Sequence, residues 1–291
     1  MMKKFMIPIL LSALLSLSCV KQTENNPNAP EKVQPSDLKE WIIKDTAYGA
    51  DKNQKMDIYL PAGRTTSTKT IVLIHGGAWV QGDKNDLNDF VTLFRVRWPE
   101  AAIININYRF ANGSTLILKN LLDDVESAIG LLVDERSRFQ VSENIALFGA
   151  SAGAHLALMY GYTNRTKGKV KCVGDLFGPA RINDWDWYIN SGVIPIAEWL
   201  QKMTGSVYNA EIYKAASPVE VATGNAPPTI IFHGVLDPLV PIAQSKDLQS
   251  KLNLLKVPNE YIEYFAGHGF SNTDYADCAT RSVIFFKKYM L

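Results

Sequence analysis

Five residues restrict what this chain can fold into more than any others. Gly149, Ala150, Ser151, Ala152 and Gly153 follow directly on the apolar run from Asn144 to Phe148. They lead into Ala154 to Met159, which is rich in Ala and Leu. The run before them reads as a buried strand and the segment after them as a helix. Passing from strand to helix through Gly-x-Ser-x-Gly forces a turn so tight that the serine takes a strained backbone conformation. Only small residues then fit two positions to either side, which Gly149 and Gly153 satisfy. The pattern is that of a nucleophile elbow, and it is informative only if the rest of a catalytic apparatus is present.

A serine hydroxyl needs a base, the base needs an orienting carboxylate, and the developing oxyanion needs donors. Around such an elbow the chain order is serine, then acid, then histidine. Of the four histidines, His75 and His155 lie too early or within one helical turn of the serine, so that His155 would point along the elbow helix. His233 precedes the best acid candidate and reads as a packed or hydrogen-bonded scaffold residue at a strand end. His268 sits in the Gly-flanked stretch from Ala266 to Phe270, after the strand-like residues 260–265, on a loop from which a base can reach a nucleophile. Asp237 follows the apolar run 228–234 and is flanked by Pro238 and Pro241, which fix its loop. Its plainer reading is a turn residue, since Asp-Pro initiates turns. Glu263 alternates with apolar neighbours and faces solvent on this reading. Ser151, His268 and Asp237 are therefore the expected triad.

The oxyanion donors are expected near residues 70–79, where an apolar strand runs into His75, Gly76 and Gly77. Glycines there let the backbone turn its amides toward a site. The N–H groups of Gly77 and Ala78, with that of Ala152 after the nucleophile, are the expected donors. The plain alternative is an ordinary strand-to-loop turn.

Strand-like runs at 69–76, 101–107, 144–149, 170–177, 228–234 and 259–264 alternate with helical stretches near 115–134, 151–163, 243–254 and 277–290. Alternation of this kind with continuous apolar strands implies a mostly parallel sheet covered on both faces. Segments 40–47 and 55–60 read as an antiparallel hairpin at its edge. With 47% hydrophobic residues among 291 and a formal charge of +1, a large core can form and no nucleic-acid footprint appears. Residues 40–291 are expected to form one α/β domain.

Taken together, the stretches Met56–Pro61, His75–Trp79, Asn107–Arg109, Gly149–Gly153, Ala216–Pro218, His233–Asp237 and Gly267–Phe270 resemble an α/β-hydrolase of the carboxylesterase type. The resemblance is closest to the hormone-sensitive-lipase-like and bacterial feruloyl and acetyl-xylan esterase-like groups. It spans nearly all of the chain after residue 40. It implies an α/β-hydrolase fold with a small lid, and hydrolysis of short-chain or carbohydrate-linked (acetyl or feruloyl) esters through an acyl-enzyme. Ala78 departs from the pattern where many members carry a third glycine, but only its N–H is needed. The elbow also lacks the double glycine common in prolyl-oligopeptidase-like peptidases. An arylformamidase-type amidase with the same triad, a peptidase, and a non-catalytic surface binding protein remain as alternative readings.

The N-terminus reads as a targeting segment. Lys3 and Lys4 form a basic start, and residues 5–17 are an apolar stretch too short to span a bilayer. Cys19 after Leu15 to Ser18 resembles a bacterial lipoprotein box, although Ser16 stands where leucine is usual; ordinary cleavage after a small residue is the other reading. Residues 1–18 are then a signal peptide and 19–39 a polar tether. The expected location is exported, on the cell envelope with a lipid anchor at Cys19 as the membrane contact, or else secreted. Without Lys3 and Lys4, 28 basic residues face 29 acidic ones, a formal charge of −1. Cys172 and Cys278 are expected as buried free thiols, a disulfide being permitted. The sequons at Asn112 and Asn164 carry no weight in such a chain. No metal-ligand spacing or phosphate loop is visible, so no cofactor is expected.

Substrate choice is expected to lie in residues 178–216, which hold Trp185, Trp187, Tyr188, Ile194, Ile196, Trp199 and Leu200. As an insertion over the carboxyl edge of the sheet they would form a lid of modest size and an open pocket. Trp185 and Trp187, with Trp79 beside the oxyanion loop, are candidate pocket walls. The alternative is that these aromatics pack the lid onto the body.

Overall fold

The computed structural model describes residues 37–163, 165, 168–192 and 195–290. The leader read at 1–18, Cys19, the tether up to residue 36, the Asn164 sequon and Ile194 lie outside them.

Eight strands form one sheet: β1 (Trp41–Ala47), β2 (Lys55–Leu60), β3 (Thr70–Ile74), β4 (Ala102–Ile106), β5 (Ile145–Ala150), β6 (Val170–Leu176), β7 (Thr229–Gly234) and β8 (Asn259–Tyr264). Their spatial order is β1-β2-β4-β3-β5-β6-β7-β8. Strand β2 pairs antiparallel with both β1 and β4, and every pair from β4 to β8 is parallel. The hairpin expected at 40–47 and 55–60 is thus the sheet edge. The helices are α1 (Asn88–Arg97), α2 (Leu118–Asp134), α3 (Arg136–Phe139), α4 (Ala152–Tyr162), α5 (Trp185–Asn190), α6 (Ile196–Thr204), α7 (Ala210–Ala215), α8 (Pro218–Val221), α9 (Ile242–Leu254) and α10 (Asn272–Tyr289).

The central strands are apolar without interruption because both of their faces are covered. Val72 and Ile74 of β3, Ile104 and Ile106 of β4, and Ile145 and Leu147 of β5 join α2, α4 and α9 in one core. Their alternate neighbours Ile71, Leu73, Ile103, Ala146 and Phe148 join Phe90 and Phe94 of α1 and Phe286 of α10 in the other. Each such side chain contributes roughly 1.5–3 kcal/mol when fully buried. Helix α4 is buried along its whole length, which explains why its sequence is apolar all round rather than amphipathic.

Helix α10 begins earlier than the stretch 277–290 read from the sequence. Ser271 caps it by accepting the N–H of Asp274 at 3.2 Å, and the Asp274 carboxylate accepts the Ser271 hydroxyl at 2.7 Å. Helix α1 escaped the sequence reading because Phe90, Val91 and Phe94 alone carry its buried face. The described part of 178–216 is helical rather than extended, with α5, α6 and α7 in it.

The strand order places β3 between β4 and β5, so the chain leaves β3 to one side and returns on the other. Such a reversal opens a crevice beyond the carboxyl ends of the two strands. Register pairs Ile74 with Gly149, which sets the segment after β3 beside the apex after β5.

Candidate active site

Ser151 occupies the apex between β5 and α4 with φ 53° and ψ −120°, a conformation that ordinary side chains avoid. Its own N–H donates to Leu176 O at 2.8 Å, tying the turn to β6. A Cβ on Gly149 would stand 2.3 Å from Gly153 O, and one on Gly153 only 2.1 Å from Ile74 O. Those two contacts are the physical content of the small-residue requirement read from the pentapeptide.

Three loops at the carboxyl edge bring the remaining groups to the serine. His268, on the loop after β8, places Nε2 2.9 Å from Ser151 Oγ and Nδ1 2.7 Å from Asp237 Oδ2. A carboxylate only accepts, so Nδ1 carries the hydrogen and Nε2 offers its lone pair to the serine hydroxyl. Asp237 follows β7, and its Oδ1 accepts the N–H groups of Leu239 at 2.8 Å and Val240 at 2.9 Å. Its side chain is fully shielded from solvent. Burial alone would raise this carboxyl; the hydrogen bonds from His233, His268 and Val240 outweigh it and hold the group far below the usual carboxylate range.

His233 is buried, as a scaffold residue should be. Val240 O, an acceptor, lies 2.9 Å from its Nε2, so that nitrogen carries the hydrogen and Nδ1 accepts the Ser245 hydroxyl at 2.7 Å. Gly234 lets the β7 exit and the His268 loop meet backbone to backbone: a Cβ there would lie 2.3 Å from Gly267 O. The Phe177 ring packs 4.7 Å from the His268 ring. Glu263 is exposed and pairs with Lys246 at 3.1 Å.

After β3 the backbone turns left-handed over three consecutive residues, with φ 103° at Gly77, 51° at Ala78 and 64° at Trp79. Gly77 O accepts the N–H groups of Val80 and Gln81 at 3.1 Å. Among the described residues no protein acceptor takes the N–H of Gly77, Ala78 or Ala152, so all three amides are available to an anion. His75 is structural. Its Nδ1 lies 2.7 Å from Gly76 O, its ring stacks on Tyr108 at 4.4 Å, and burial lowers its pKa.

A cavity of about 370 Å³ opens over Ser151, Ala152, Gly77, Ala78 and His268. The lid contributes Tyr188, Ile196, Trp199 and Leu200 to its wall, the Asp237 loop Leu239 and Val240, and the segment after β3 Trp79, Gln81, Asp86 and Asp89. Trp185 and Trp187, expected on the wall, are not part of it. Trp185 stacks on Tyr208 at 5.1 Å and meets Tyr213 edge-on, and Trp187 packs edge-on against Tyr188. These ring contacts lie within the lid segment itself, and both tryptophans also pack, partly buried, against the larger core cluster.

Sequence reasoning missed Gln244, which is buried in α9. Its Oε1 accepts the N–H groups of Ala180 and Arg181 and its Nε2 donates to Tyr188 OH at 2.8 Å. It thereby fixes both the root of the lid and one wall residue, and no local motif announces that. Asp175 of β6 is fully buried. Its Oδ1 accepts Gly178 N–H at 2.8 Å, its Oδ2 has no partner, and burial pushes its pKa up to about 7. Cys172 and Cys278 are buried free thiols, with burial pushing Cys278 up to about 12. Among the described residues no group of three or more His, Cys, Asp or Glu is placed to hold a metal ion.

Comparison with known proteins identifies the family and the fold. The family model described as BD-FAE matches residues 56–252. Esterase LipC of Mycobacterium tuberculosis is 26% identical over 244 residues, 78% of this chain and 59% of LipC. The chain therefore spans less than two thirds of that relative's length. Among solved structures, the bifunctional GH43-CE protein of Bacteroides eggerthii superposes with a TM-score of 0.71 at 23% identity. The match covers 89% of this chain and 39% of that one. A truncated carbohydrate esterase from gut microbiota superposes at 0.68 with 22% identity, over 85% and 98% of the two chains. At those identities the structures establish a shared fold, the α/β-hydrolase fold.

Proposed function

The chain belongs to the BD-FAE family, and from that membership we propose that it is a serine carboxylic-ester hydrolase. The observation that carries the reading is the continuous hydrogen-bond chain from Ser151 to His268 to Asp237, in a cavity also lined by Gly77, Ala78 and Ala152, whose amides have no protein acceptor among the described residues. His268 Nε2 removes the serine proton as Oγ attacks the ester carbonyl. Asp237 holds the imidazole in the required tautomer and stabilises its charged form. The tetrahedral oxyanion settles against the N–H groups of Gly77, Ala78 and Ala152, each typically worth about 3 kcal/mol in the transition state. His268 returns the proton to the departing alcohol, and water releases the acyl group by the same steps in reverse.

A cavity of about 370 Å³ lies at the small end for ligand sites, which favours a short acyl group. Acetyl or feruloyl esters on polysaccharides follow from the sequence resemblance. An exported protein anchored through lipid on Cys19 would meet such substrates at the cell envelope; incorporation of labelled palmitate that is lost in Cys19→Ala tests that part.

The deciding assay is a panel of p-nitrophenyl acetate, butyrate and decanoate, acetylated xylan, methyl ferulate and N-formylkynurenine, with Ser151→Ala as the blank. Rates falling from acetate to decanoate, and release of acetyl or feruloyl groups, support the proposal. Preference for the formamide moves the protein to the amidases. Substantial turnover by Ser151→Ala refutes Ser151 as nucleophile.

A further inference from the structure

The oxyanion loop holds an unusual backbone, and one of its side chains is anchored on a histidine the triad does not use. Two of its three left-handed residues, Ala78 and Trp79, are not glycines, so the loop free of its surroundings would favour another conformation. Hydrogen bonds to its carbonyls hold its flanks: Gly76 O accepts the Tyr108 side-chain hydroxyl at 3.2 Å, and Trp79 O accepts Ala111 N–H at 2.8 Å. The Trp79 side chain is itself buried, and its indole Nε1 donates to His155 Nδ1 at 3.1 Å. The two rings meet edge to face at 5.2 Å.

The chemistry of the pair leaves one arrangement. An indole N–H only donates, so Nδ1 of His155 must present a lone pair. Nε2 lies 2.8 Å from Ala216 O, an acceptor, so Nε2 carries the hydrogen. Both ring nitrogens are thus occupied and the imidazole is neutral. A proton added at Nδ1 would point at the indole N–H, and burial accordingly lowers this histidine to about 4. His155 is not a second base. Its backbone N–H donates to Ser151 O at 3.0 Å, one helical turn after the nucleophile. One fully buried ring therefore joins the elbow helix, the oxyanion loop and Ala216 at the close of the lid segment.

We propose that His155 is a positioning residue for the oxyanion hole: by holding the Trp79 indole between α4 and the lid root, it keeps the amides of Gly77 and Ala78 turned toward Ser151. The inference rests on the esterase reading and goes beyond the triad. It acts through another side chain and on charge that exists only in the transition state. Its loss must therefore lower kcat and leave substrate binding nearly untouched.

The test uses His155→Phe, Trp79→Phe, the double variant, and His155→Asn, whose amide oxygen can still accept the indole N–H. Stoichiometric labelling by a p-nitrophenyl phosphonate counts folded sites in each preparation. A misplacement of about 1 Å costs about 10²-fold, so with p-nitrophenyl acetate kcat should fall about 30- to 100-fold in either single Phe variant. KM of His155→Phe, whose ring does not line the cavity, should stay within about threefold, and the double variant should lower kcat no further than the singles, as for residues acting as one unit. His155→Asn should recover most of the rate. Affinity for a trifluoromethyl ketone, which forms an oxyanion on Ser151, should fall in parallel with kcat/KM, whereas affinity for acetate should not. If His155→Phe fails to fold, Trp79→Phe and His155→Asn carry the comparison. An active wild type with losses confined to KM, fully additive losses, or unchanged ketone affinity overturns the positioning role alone. A wild type that turns over no ester and resists the phosphonate overturns the esterase reading and this inference with it.

Discussion

Replacing Gly153 by alanine tests whether backbone contact at the turn dictates both fold and site. The added Cβ would lie 2.1 Å from Ile74 O and 2.3 Å from His75 O, where an ordinary carbon–oxygen contact is about 3.3 Å. Relief requires α4 and the end of β3 to part by about 1 Å, and the atoms in the way are backbone, which cannot rotate aside. Overpacking generally costs about 1–3 kcal/mol and sometimes more; a backbone clash of this depth belongs at or above the upper end, about 3–5 kcal/mol. For a domain of this size about 2 °C is lost per kcal/mol, so the melting temperature should fall by about 6–10 °C. The same movement separates Ser151 from the oxyanion loop, and a 1 Å error there costs about 10²-fold in rate. Gly130→Ala is the matched control, because nothing lies within 4 Å of its Cβ position in α2; it should stabilise by about 0.5–1 kcal/mol. Thermal melts and kcat/KM on p-nitrophenyl acetate read both quantities. A Gly153→Ala protein melting within about 2 °C of wild type with full activity would refute the steric argument.

Asp237→Asn should leave the fold intact but offer an amide where His268 needs an acceptor, lowering kcat by about 10⁴-fold through the wrong tautomer; steady-state kinetics showing a loss below tenfold would contradict the assignment. Asp175, raised to about 7 from an ordinary 3.8, binds a proton in the folded state that the unfolded chain has released. Its contribution therefore weakens stability as pH rises from about 4 through about 7 and levels off above. Asp175→Asn cannot ionise, so urea unfolding should show it gaining on wild type between pH 5 and 8.5; a constant difference would exclude the shift. Asp124 is buried and accepts the Arg109 backbone N–H, its Nε and its guanidinium, with Gln54 as a further donor. Asp124→Ala should cost about 3 kcal/mol, the low end for a broken buried pair, because Arg109 keeps partial access to water; a change under 1 kcal/mol in denaturant melts would mean the network is dispensable.

The elbow, the six parallel strands and the sequence order of Ser151, Asp237 and His268 were legible because each is written in a local pattern. Uninterrupted apolar runs mark strands covered on both faces, and Gly-x-Ser-x-Gly marks a turn whose steric demand is satisfied within five residues. The lid was not legible to the same degree. A tryptophan there reads equally well as pocket wall or fastening, and the choice fell to neighbours far away: Tyr208 and Tyr213 claim Trp185, while Trp199 and Tyr188 face the cavity. The part His155 plays was not legible for the same reason. Its helical position is plain, but its partners Trp79 and Ala216 lie 76 and 61 residues away.

What the sequence alone determined, then, is the chemistry available: a strained serine, a loop-borne imidazole, a carboxylate on a proline-flanked loop, and glycines where a backbone must approach another. What the tertiary structure decided is their meeting. Strand β3 lies between β4 and β5 with Ile74 opposite Gly149, so a loop some seventy residues upstream arrives beside Ser151. No local signal encodes that register, because strand order is settled by which hydrophobic faces can be covered together. The left-handed turn at Gly77, Ala78 and Trp79 likewise holds only because packing from other elements outweighs its local cost.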